Sequence, residues 1–66
     1  MWMKSYSSSE VISILAKDGW YFVNQEGSHR HYEHPTKTGK ATVPHPKKHI
    51  PIRTLKNIAS QTGLKF

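Results

Sequence analysis

Two apolar stripes of helical period stand at opposite ends of this chain, and neither can be left in water. Val11, Ile14 and Leu15 form the first; Ile52, Leu55, Ile58 and Ala59 form the second. A chain of 66 residues buries only about 60% of the surface its unfolded form exposes. Both stripes must therefore share one modest core, and the whole of 1–66 is read as a single domain. Cysteine is absent, so neither a disulfide framework nor a thiolate metal site can supplement that core.

The stretch between the stripes is built for strands. "WYFVNQ" (20–25) is rich in aromatic and β-branched residues and too short for a helix. "NQEG", with Gly27, offers a tight turn into "SHRHYEH" (28–34), and Pro35 and Gly39 punctuate a second turn. "KATV" (40–43) follows and is ended by Pro44, which cannot donate to a ladder and so suits an edge.

Helix boundaries are written locally. Ser7 and Glu10 have the spacing of a capping box, Tyr6 and Val11 that of a hydrophobic staple, and Gly19 closes the first helix. Pro51 sits near the first position of the last helix, which Gly63 ends with Leu64 beyond it. The order is α-β-β-β-α. Both stripes are buried most simply by a two-layer α+β sandwich, with a three-stranded antiparallel sheet carrying both helices on one face and the other face open. This is also the element order of the double-stranded-RNA-binding domain.

Ten Lys and Arg against four Asp and Glu leave a net charge of +6, which favours a polyanionic partner. No stretch is long and apolar enough to span a bilayer. The start "MWMKSY" carries no apolar run after its lysine, so it does not read as a secretory signal. A cytoplasmic location is expected, with no membrane partner and no DNA binding by this chain alone. Met1 and Met3 are alternative initiators.

"GSHRHYEHP" (27–35) concentrates the titratable chemistry. In a strand His29 and His31 point to one face, with Glu33, and His34 to the other. A metal site on His29, His31 and Glu33 is therefore one alternative; solvated sheet histidines are the bland reading, preferred for His31, His34 and His49. His29 differs by position, following Gly27 and Ser28 at the head of a strand. Imidazole titrates near neutrality, so it can take the proton of a ribose 2′-hydroxyl or give one to a departing 5′-oxygen. His45, Lys47 and Lys48 form a basic loop beside a helix N-terminus, a combination that suits phosphate oxygens. Arg30, Lys37 and Lys40 are secondary phosphate candidates.

"DGW", "GSHRHYEHP", "TVPHP" and "IRTLKNIASQTGL" together resemble HicA, the toxin family of the HicAB toxin–antitoxin systems, from Ser7 to Leu64. The resemblance implies a double-stranded-RNA-binding-like fold and mRNA cleavage by a single catalytic histidine, which falls on His29. It further implies a HicB antitoxin that binds and blocks the toxin. No metal or other cofactor is expected. A non-catalytic RNA-binding module of the same fold is the other alternative. Arg53 stands where many relatives carry glycine, and an arginine near a helix start opposes the macrodipole unless it meets an anion.

Overall fold

The structure, a computed structural model, describes residues 5–66. The choice of initiator between Met1 and Met3 falls outside the described residues. The elements are α1 (Ser8–Lys17), β1 (Tyr21–Glu26), β2 (His29–Glu33), β3 (Ala41–Pro44) and α2 (Ile52–Thr62). The strands form one antiparallel sheet in the order β1-β2-β3. This is the expected α-β-β-β-α arrangement. Among the described residues no helix is long and apolar enough to cross a membrane.

Local chemistry starts and stops the helices. Ser7 caps α1: its hydroxyl accepts from the Glu10 N–H, and the Glu10 carboxylate accepts from the Ser7 N–H. Gly19, just past α1, has φ 103. A Cβ there would lie 2.9 Å from His34 Nε2, so glycine is required twice over, by backbone angle and by space. Pro51 is the N-cap of α2, next to its first helical position as expected, and Gly63 closes that helix at φ 73.

The register assigns the strand residues to faces, apart from Val23, which is left without a partner where the β1–β2 register shifts between Phe22 and Asn24. Phe22, Tyr32 and Ala41 lie abreast, as do Gln25, Arg30 and Val43. Tyr32, Ala41 and Val43 are buried in one core with Val11 and Leu15 of α1 and Leu55 and Ile58 of α2, so both helices cover this face. Truncating a fully buried leucine such as Leu55 would cost about 2–5 kcal/mol. Ile52 departs from the expected stripe and is 47% exposed. It lies in the first turn of α2, and Ile50, on the approach to the helix, takes the buried place instead.

The helices lie against β3 and leave β1 exposed along its whole length. Arg30 therefore faces the helix side without entering the core. Its guanidinium rests over the Phe22 ring at 4.7 Å from the centroid, and its Nε has no hydrogen-bond partner among the described residues. Burial pushes the Tyr32 hydroxyl above its ordinary pKa, with Arg30 pulling the other way.

Candidate active site

A two-residue turn places His29. Glu26 pairs with His29 across it, Gly27 has φ 58, and Ser28 keeps a negative φ. Positive φ at the first central residue alone is what a type II′ hairpin turn asks for, and only glycine adopts it without strain. The other end of His29 is held by β3, where its partner is Pro44, and the His45 N–H donates to the Ser28 carbonyl at 2.7 Å. His29 is thus an exposed imidazole on a backbone fixed from both sides.

Its side chain belongs to the sheet face turned away from the helices, together with Pro44, His31 and Thr42. There it opens on a groove of about 370 Å³ beside the outer edge of β3. The sheet supplies His29, Thr42 and Pro44 to the groove; the following loop supplies Lys47 and Pro51. The flank of α2 supplies Thr54, Asn57 and Gln61. Gln61 also closes the sheet edge, its Oε1 accepting from the Thr42 N–H at 3.0 Å.

These three α2 residues are not among the candidates the sequence alone points to. Their signal was a polar stripe at i, i+3 and i+7, immediately beside the buried stripe of Leu55, Ile58 and Thr62.

The basic loop docks on the other helix from the one that follows it. Ser8 in α1 donates its N–H to the Lys47 carbonyl at 2.9 Å, and its hydroxyl accepts from the Lys47 N–H at 3.0 Å. His45 Nδ1 stands 3.0 Å from the same hydroxyl. Ser7, Ser8 and Ser9 then line a second groove with His45, Lys47 and Lys48. Lys47 borders both grooves, and it is the cation that His29 shares its groove with.

The other cations considered from the sequence do not line the His29 groove. Arg30 is on the opposite face of the sheet. Lys37 donates to the Asp18 carboxylate and, at 3.0 Å, to the Thr62 carbonyl, joining the ends of both helices. That contact, aided by the Trp20 indole N–H, holds the Asp18 carboxyl below its ordinary pKa against the opposing effect of burial. Lys40 is exposed just before β3. Arg53 is exposed in the first turn of α2, with no ion-pair partner among the described residues, and α2 has neither a side-chain cap nor an acidic residue in that turn.

The other histidines are engaged locally. His31 contacts Thr42 Oγ1 through Nδ1 and Glu26 through Nε2, both at 3.0 Å. His34, just past β2, donates from Nε2 to the Asp18 carbonyl at 2.6 Å and accepts at Nδ1 from the Thr36 and Lys37 N–H groups. His49 Nδ1 pairs with the Ser5 hydroxyl at 2.8 Å. Among the described residues no three His, Asp or Glu side chains are placed to hold a metal ion.

A small basic α+β domain presenting one fixed, exposed imidazole in a polar groove is the class that fold and site define. The family model described as "HicA toxin of bacterial toxin-antitoxin" matches residues 8–64, and the chain belongs to that family. It is a toxin of a bacterial toxin–antitoxin system, which implies an antitoxin partner, and the family is known for ribonuclease activity. Comparison with curated proteins returns no match.

Proposed function

We propose that this chain is a metal-independent endoribonuclease that cuts mRNA in the cytoplasm with His29 as its proton-transfer residue, and that a HicB antitoxin neutralises it. The observation that carries this reading is the placement of His29: exposed, fixed by a two-residue turn, and sharing a groove with Lys47. In the reaction, the ribose 2′-oxygen attacks the adjacent phosphorus while its proton passes to the imidazole. The bond from phosphorus to the 5′-oxygen breaks, and that oxygen takes a proton from the imidazolium. The products are a 2′,3′-cyclic phosphate and a 5′-hydroxyl. Lys47 offsets charge on the phosphate, while Lys48 and His45 bind backbone in the second groove.

A metal-free reading is supported by what the neighbouring ligand candidates do. His31 and His34 are spent on Thr42, Glu26 and the Asp18 carbonyl, so they do not converge on His29. The test is expression of wild type beside His29→Ala, following growth and intact mRNA. General acid–base groups contribute ~10²–10⁴-fold, so a folded His29→Ala protein should be harmless and leave RNA intact. Cleavage at the wild-type rate by that variant would refute the catalytic role. RNA binding without cleavage by wild type would turn the reading into a non-catalytic RNA-binding module.

A further inference from the structure

We infer that the α2 flank of the His29 groove is a nucleobase subsite, in which Asn57 reads a base edge next to the bond to be cut. The inference rests on the reading above in one respect, that RNA occupies this groove.

The lining is chemically lopsided. The sheet and the following loop supply the His29 imidazole and Lys47. The α2 flank supplies Thr54, Asn57 and Gln61, which carry one hydroxyl and two amides and no formal charge. Cations best offset phosphate charge, whereas the amide of an asparagine or glutamine can donate and accept at a base edge at once, as in the bidentate contact to adenine. Among the described residues no carboxylate lines the groove. Its volume of about 370 Å³ falls at the small end of the range for ligand pockets, roughly 300–1,000 Å³.

The amides also keep hydrogen-bonding capacity to spare. Gln61 uses its Oε1 on the Thr42 N–H, which fixes the side chain and leaves both amide protons available to donate. Asn57 is exposed and its amide has no hydrogen-bond partner among the described residues. An amide that can both donate and accept suits a single-stranded base, whose pairing edge is unoccupied. A base held there sets which phosphate faces His29, so Asn57 is a specificity-determining residue and not a catalytic one.

The experiment compares His29→Ala with His29→Ala/Asn57→Ala in binding four RNA homo-oligonucleotides, and maps cleavage positions for Asn57→Ala in the otherwise wild-type chain. Alanine is a better helix former than asparagine, so loss of folding is not a concern, and circular dichroism verifies it. The His29→Ala protein should rank the four bases. The added Asn57→Ala change should compress that ranking by roughly tenfold and redistribute the cleavage positions. An unchanged ranking, or an equal loss on all four oligonucleotides, would overturn the inference. So would unaltered ranking together with weakened antitoxin binding, which would make this flank a protein contact. If wild type does not cleave yet the ranking depends on Asn57, the ribonuclease reading fails and the subsite stands.

Discussion

His45 Nδ1 and the Ser8 hydroxyl lie 3.0 Å apart, although 37 positions separate them in the chain. The contact fastens the basic loop to the first turn of α1. Ser8 is buried at 2% exposure, and its hydroxyl also accepts from the Lys47 N–H.

Ser8→Ala should therefore destabilise the domain by about 1–3 kcal/mol, the cost of leaving a buried polar group unpaired. In a domain of this size each kcal/mol lowers Tm by roughly 4–8 °C. Thermal melts measure the loss, and hydrogen exchange at the Lys47 amide should accelerate more than exchange in the α2 core. A melt that matches wild type would mean that the hydroxyl contributes nothing to holding the loop.

Lys47, Lys48 and Lys37 should separate cleanly in salt titrations of RNA binding. Measured in the His29→Ala background, neutralising Lys47 or Lys48 should each reduce the slope of log affinity against log salt by about 0.7 on a single strand. Lys37→Ala should leave the slope unaltered, because its ammonium is held by Asp18 and the Thr62 carbonyl. Should Lys37→Ala change the slope as much as Lys47→Ala, RNA must reach the far end of the fold.

The same Lys37 contact sets an acid limit. Because it holds the Asp18 carboxyl below its ordinary value, the stabilisation is complete above the unfolded carboxyl pKa of about 3.9. It is lost as pH falls from there through the lower folded value. Lys37→Met should be less stable than wild type at neutral pH, and the two stability curves should converge in strong acid. Curves that stay parallel from neutrality into acid would show that Asp18 is not the group responsible.

Cleavage should persist in excess chelator, with the rate unchanged. Abolition by chelator and restoration by a divalent cation would make the cleavage metal-dependent and refute this reading.

Antitoxin and RNA should compete. The simplest blockade covers His29 and the 45–48 loop, and a toxin of charge +6 calls for an acidic facing surface. Antitoxin should reduce RNA binding by His29→Ala, and toxin–antitoxin affinity should fall with added salt. Saturating antitoxin that stops wild-type cleavage but leaves RNA binding by His29→Ala untouched would point to distortion of the site in place of masking.

What was legible in the sequence was local or periodic. The Ser7–Glu10 capping box, the Gly19 and Gly63 stops and the stripe of Leu55 and Ile58 are settled within a few residues of chain. The position of His29 at a strand head after Gly27 and Ser28 was equally local. What escaped depends on docking. That Lys37 meets Asp18 and Thr62, that His45 meets Ser8, and that Asn57 lines the groove all follow from how the helices sit against β3. Arg30 shows the boundary between the two. Its face follows from alternation with Tyr32, but its tolerance there depends on the helices leaving Phe22 uncovered.

The register that sets His29 opposite Pro44 makes this surface depend on whether a count is odd or even. With Tyr32 anchored in the core, one residue inserted between His29 and Arg30 would carry the imidazole to the helix side and put a newcomer in the groove. Two inserted residues would bring the imidazole back to the groove side, though displaced along the strand. A scan of insertions through β2 would thus alternate between faces, whereas residues added at 38–40, past the Lys37 contacts, would lengthen the chain without touching that parity.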